Sequence, residues 1–349
     1  MSISKIFFVL AILITSNASA QYPIKELTAQ KGVSIRSLSV PSEKVIWASG
    51  SKGMIAKSTD EGISFEWMQV KGYEKRDFRA MHAWNDQEAI IVAVAAPAII
   101  LKTKDGGASW YSVYENTDTA MFLDAIHFKD TQNGIVIGDP IDGVVFMLTS
   151  NNKGESWSKV PATYFNSPLQ NGEAFFASSN SNLVQVGKSF FMVTGGLKSR
   201  IWNNGVATDL PLLQGTSSTG ANSIAVSPNR QKLVIVGGDF TQDKISDKNI
   251  AAYSILLEPK SDLKHLTQKR TILQPLSLST PNGYKSCVEF INNQLIITSG
   301  TSGVDISENS GKQWSRISDA SFHVIKRHPN KKGAYLAGSG GRICYVQFQ

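Results

Sequence analysis

Short apolar runs alternate with polar, glycine-rich breaks along almost the whole chain, and no long helical periodicity follows the first twenty residues. Seven times a polar residue opens a short strand-like run: Arg36, Arg79, Asp124, Glu173, Asn222, Lys285 and His323. A second apolar run follows each, from Val45, Ala89, Gly134, Phe190, Leu233, Leu295 and Ala334. A loop and a third run come next; the loop is glycine-rich in all but the second unit. Most units start 38 to 49 residues apart, and the one from Asn222 is longer, with extra residues between Asp239 and Tyr284. Four short strands recurring at such a period predict a β-propeller. The pattern therefore predicts an all-β fold, a seven-bladed propeller of four-stranded antiparallel blades.

The last unit ends one strand short, after Ile343-Cys-Tyr-Val. The segment Tyr22-Pro-Ile-Lys-Glu-Leu can supply that strand, and pairing the two ends in one blade removes an open sheet edge. The residue after each polar opener is small in six units (Ser37, Ala80, Ala125, Ala174, Ser223, Ser286) and is Val324 in the seventh. Small side chains suit strands crowded around a central axis.

Four turns share one form, Ser/Thr-x-Asp/Asn-x-Gly-x-Ser/Gln-aromatic. They are Ser58 to Phe65, Thr103 to Trp110, Ser150 to Trp157 and Ser307 to Trp314. Asp60, Asp105, Asn152 and Asn309 are expected to fold a side-chain oxygen onto backbone N–H groups of the turn. Glycine supplies the left-handed conformation. These four residues are read as structural.

The turn resembles the Asp-box, or bacterial neuraminidase repeat, of β-propeller blades. With GDPIDG (138–143), NGEAFFAS (171–178), GGDF (237–240) and TSGVDISENSGKQW (301–314), the chain resembles the photosystem II stability/assembly factor-like group of exported seven-bladed propellers. That resemblance implies a protein that binds assembling membrane proteins and is not an enzyme. The box is also similar to that of sialidases, which implies glycoside hydrolysis. However, Arg36-Ser-Leu and Arg79-Ala-Met stand where those enzymes carry Arg-Ile-Pro.

Residues 1–20 read as a secretory signal: Lys5 flanks an apolar core from Ile6 to Ile14, and Ala18-Ser-Ala20 precedes a cleavage site. The core is shorter than the ~20 apolar residues a bilayer span needs. Residues 21–349 are then one exported propeller, periplasmic or secreted, with no membrane span, and a monomer. The net charge of +7 is spread over scattered Lys and Arg, without a nucleic-acid module. Cys287 and Cys344 lie in apolar runs and read as buried thiols. No Gly-x-Gly-x-x-Gly after a strand, Cys-x-x-Cys or haem motif is present, so no cofactor is expected. No metal site is expected either. His82 and His127 hold equivalent places on neighbouring strands and read as packed imidazoles in preference to a metal pair.

In a propeller the seven openers and the loops between second and third strands meet at one mouth of the channel. The candidate ligand-binding set is Arg36, Arg79, Asp124, Asp139, Glu173, Arg200, Asn222, Asp239, Lys285 and His323. Arginine forks suit a carboxylate or phosphate, so the partner is a protein segment or an anionic or glycan small molecule. The alternative is a glycoside hydrolase or lyase that pairs Glu173 with Asp124, Asp139 or Asp239 as acid and base. A third reading has the charges pair among themselves and bind nothing.

Overall fold

The computed structural model describes residues 22–257, 271–330 and 332–348. The expected signal segment at 1–20 lies outside the described residues. Seven antiparallel sheets follow one another around a ring. The first blade orders Ile35–Ser39, Ile46–Gly50, Met54–Ser58 and Glu66–Gln69 from the axis outward. The second runs Phe78–Ala83, Ala89–Ala93, Ala98–Thr103 and Tyr111–Asn116, and the third Leu123–Phe128, Gly134–Ile141, Val144–Ser150 and Ser158–Lys159. The fifth runs Thr219–Val226, Lys232–Asp239, Ile250–Leu257 and Thr271–Leu276, and the sixth Cys287–Phe290, Ile296–Gly300, Gly303–Ser307 and Ser315–Ser318. The seventh is Val324–Arg327, Gly333–Ala337, Ile343–Gln347 and, from the other end of the chain, Ile24–Thr28. Ile24 faces Val346 in that pairing, so the ring is closed by both ends. Apolar residues of adjacent sheets fill the gaps between blades: Ile90, Val92 and Ile100 of the second pack with Ile126, Val136 and Leu148 of the third.

The fourth blade differs from expectation. Its inner strand is Leu183–Val186, followed by Ser189–Val193, Arg200–Asn203 and Val206–Asp209. Glu173–Ala174 is instead a two-residue strand paired with Gly195–Gly196, which extends the sheet of the fifth blade. By register Asn182, one residue before Leu183, holds the place expected of Glu173. The cause is a seven-residue excess. Glu173 precedes Phe190 by 17 positions, whereas the other openers precede their second run by 9 to 11.

The excess chain goes into the central channel. Residues 177–182 are buried there, while Phe175 packs in the seam between the third and fourth blades. Ser179 Oγ donates to the Ser286 carbonyl at 2.7 Å, in the sixth blade. Asn180 donates to the Met81 carbonyl at 2.9 Å and accepts from the Ile126 N–H at 2.8 Å, in the second and third. The Ser181 carbonyl accepts from the Ile224 N–H at 2.7 Å, in the fifth. Inner strands expose an unpaired backbone edge to the channel, and buried N–H and C=O groups need partners. The polar segment FASSNSN supplies them and plugs the channel.

All four shared turns hold the expected hydrogen bonds. In the second, Asp105 Oδ1 accepts from the Ser109 N–H at 2.9 Å and Thr103 Oγ1 accepts from the Gly107 N–H at 3.0 Å. Asp60, Asn152 and Asn309 accept in the same way from Ser64, Ser156 and Gln313. Cys287 and Cys344 are free and buried.

Candidate functional site: a charged mouth around the plug

In four blades the inner strand breaks register at its polar opener. The pairing skips between Ile35 and Ser37, Phe78 and Ala80, Leu123 and Ala125, and Ala221 and Ser223. Arg36, Arg79, Asp124 and Asn222 are thus the extra residues of β-bulges, which re-aim a side chain away from the pleat. The bulge needs a close approach from the second strand. A Cβ on Gly237 would lie 1.8 Å from the Gly220 carbonyl oxygen. That clash explains why position 237 in the second strand of the fifth blade is glycine.

These bulges bring Arg36, Arg79, Asp124 and His323 to one place. Burial and the neighbouring Arg79 lower the Arg36 guanidinium. Arg36 makes no hydrogen bond or ion pair among the described residues and is only partly buried. Arg79 donates through Nε to Asp77 Oδ2 at 2.8 Å. His323 lies against Ser339 Oγ at 3.1 Å. Burial and the charges of Arg36, Arg79 and Arg342 hold its imidazole down at about 3, so the ring is neutral. Asn222 joins the group through Tyr284, whose hydroxyl donates to Asn222 Oδ1 at 2.9 Å.

Asp124 is fully buried, and its carboxylate meets only the backbone N–H of Ala177, too loosely for a full hydrogen bond. Burial and the nearby Asp139 push its carboxyl well up, with Arg79 pulling the other way. Asp139 is half-buried and accepts from the Phe175 N–H at 3.0 Å. Burial raises it to about 6. Asp142 lies apart from this pair, exposed at the tip of a two-residue hairpin turn with Gly143.

The remaining candidates are engaged elsewhere. Glu173 is 5% exposed. It accepts from Arg200 Nε at 3.0 Å on both oxygens, from Thr194 Oγ1 at 2.6 Å and from Trp202 Nε1 at 3.1 Å. The Arg200 guanidinium lies 4.7 Å from the Trp202 ring centre. This closed pair leaves neither residue free to grip a ligand. Lys285 is fully buried against Asp305 and donates to Ser302 Oγ and the Gly303 carbonyl at 3.0 Å. Asp239 is spent on the Thr241 N–H and hydroxyl, at 2.9 and 2.7 Å.

The loops on this face carry exposed apolar side chains that the sequence did not single out. Leu197, Phe240 and Ile245, on the loops of the fourth and fifth blades, are each at least 40% exposed. Phe240 packs edge-on against Phe176 and Tyr284, at 6.1 and 6.2 Å between ring centres. Phe240 follows the GGD of GGDF, so its place on a mouth loop was the available signal.

No protein-family profile matches the chain, and no curated protein matches its sequence. Solved structures do match in shape. One is described as YCF48 bound to D1 peptide, with a TM-score of 0.60, 15% identity, and 94% of this chain and 97% of that chain covered. YCF48 from Cyanidioschyzon merolae gives 0.58 at 14% identity, over 93% and 98% of the two chains. U3-55K gives 0.61 at 13% identity, again over 93% and 98%. At such identities the likeness is one of fold: this chain shares the propeller architecture of these proteins.

Proposed function

We propose that the protein is an exported binding or assembly propeller whose charged mouth takes an extended, acidic protein segment with apolar side chains. The observation that carries this is the unpaired Arg36 beside Arg79, with the exposed Phe240 joined to that group through the Tyr284 ring. Cations that could engage a carboxylate in fork fashion, next to aromatic anchors, are what such a segment needs. A propeller of similar shape, YCF48, has been solved with a D1 peptide. The rest of the proposal is an Asp-box propeller over residues 21–349, monomeric, exported after cleavage behind Ala20.

Fluorescence anisotropy against a set of labelled acidic and basic peptides tests the reading. Acidic peptides containing Phe or Leu should bind, and Arg36→Ala with Arg79→Ala should weaken them at least about tenfold. Equal binding of basic peptides, or none by any acidic peptide, would refute it.

One observation favours a second reading. Asp124 and Asp139 form a carboxyl pair with raised affinity for protons, the arrangement a glycoside hydrolase or lyase uses as acid and base. Glu173 has no free oxygen for that work. Turnover on a glycan panel, abolished by Asp139→Asn, would establish this activity.

A further inference from the structure

The plug turns the other end of the channel into a blind cup. Asn180 and Ser181 form its floor, and the cavity has a volume of about 360 Å³. The ends of the inner strands form its wall, opposite the charged mouth. Six polar side chains line it besides the floor: Ser39, His82, His127, Gln185, Glu289 and Lys326. Leu38, Met81, Ile126, Leu183, Ile224 and Val288 border it, with their side chains buried in the seams between blades. A cavity of this size with several convergent polar groups has the form of a site for a small polar molecule.

The charges in the cup are not used by the fold. Neither Glu289 nor Lys326 makes a hydrogen bond or ion pair among the described residues, although they sit on adjacent inner strands. This differs from Glu173–Arg200 and Lys285–Asp305, where each buried charge is closed off by its partner. Burial pushes the Glu289 carboxyl up, against the pull of Lys326 and Arg327. His82, packed 4.8 Å from the Phe128 ring, is held at about 3 by burial, His127 and Lys326. His127 is held at about 4 by burial and Lys326. Two neutral imidazoles therefore offer one N–H donor each.

We propose that this cup binds a small zwitterion, a free α-amino acid. Lys326 and the histidine N–H groups take its carboxylate, and Glu289 takes its ammonium. A simple carboxylate would leave Glu289 facing it unpaired. A simple amine would do the same to Lys326. Only a ligand carrying both signs satisfies the whole lining, since leaving a desolvated charge without a partner is costly. The Asn180 floor excludes a chain threaded through the ring, which limits the ligand to a small molecule. The site is independent of the charged mouth.

Isothermal titration of the mature protein with L-leucine tests this, alongside 4-methylpentanoate and 3-methylbutylamine, which each keep one charge. Leucine should bind saturably, and each single-charge analogue at least about tenfold more weakly. Lys326→Met and Glu289→Gln should each weaken leucine by a similar factor, with thermal melts confirming that both variants fold. Should either variant be unfolded, the ring-proton signals of His82 and His127 in the native protein report the site instead. They should shift with leucine and not with equal 3-methylbutylamine. No saturation or shift by 10 mM leucine, on the order of a weak metabolite affinity, overturns the proposal. So does equally tight binding of 4-methylpentanoate.

Discussion

Asn180 accepts a hydrogen bond from the backbone N–H of Ile126 at 2.8 Å, which ties the plug to the inner strand of the third blade. Its amide nitrogen donates to the Met81 carbonyl at 2.9 Å. One side chain thus serves a donor and an acceptor on two inner-strand edges. Asn180→Ala should leave both buried groups without a partner, at a cost of about 1–3 kcal/mol each. Urea denaturation should show a clearly lowered midpoint with an unchanged slope. An unchanged midpoint would mean that water replaces the plug at these edges.

Glu173 and Arg200 should behave as a structural pair. Arg200→Met strands a buried carboxylate and should cost about 3–5 kcal/mol. Adding Glu173→Gln to that variant removes the stranded charge and should recover part of the loss. If the double variant is no more stable than Arg200→Met alone, the two residues do not act as a pair. The comparison needs only denaturant midpoints.

Stability should depend on pH through Asp139. Its folded-state pKa, about 6, lies above the ~4 of a free aspartate. The folded chain therefore holds this proton more tightly than the unfolded chain does. Asp139 favours folding most below pH ~4, and stability falls as pH rises from there through 6. Asp124, raised for the same reason, acts in the same direction. In Asp139→Asn the decline over this window should be shallower, by on the order of 1–3 kcal/mol. Melting temperatures measured between pH 4 and 7 in the parent and the variant give the answer.

Both thiols should resist labelling. The Cys287 sulfur accepts from the Ile325 N–H at 3.3 Å in the seam between the sixth and seventh blades. Burial pushes both thiols up, Cys344 to about 11, so little thiolate is present at neutral pH. A chromogenic disulfide reagent should react with neither cysteine in the native protein and with both after denaturation in guanidinium. Prompt reaction in the native state would contradict the packing of that seam.

The ring was legible because its parts are local. A strand needs only alternating apolar residues, and each turn is completed within eight residues, as Thr103, Asp105, Gly107 and Ser109 show. The fourth blade was not legible in the same way. Glu173-Ala-Phe-Phe matches the polar–small–apolar pattern of an inner strand, yet Leu183–Val186 takes that position. The only local warning was the extra length before Phe190. The mouth was half legible. Arg36, Arg79, Asp124 and His323 meet as their strand positions imply, while Glu173, Arg200, Lys285 and Asp239 turn to partners within their own or adjoining segments.

The amino-acid order alone settles the period, the number of blades, the hairpin turns and the closing of the ring by Ile24–Thr28, since each follows from hydrophobic alternation and short-range hydrogen bonding. The folded arrangement alone decides which charges are spent and which stay free. An arginine reads the same in the chain whether it meets a glutamate 27 positions away, as Arg200 does, or meets nothing, as Arg36 does. Partners of that kind are chosen by the curvature of the ring, which sets distances between residues remote in sequence. The same curvature leaves a channel just wide enough for residues 177–182 to fill, and the plug makes two separate mouths of what the sequence presents as one.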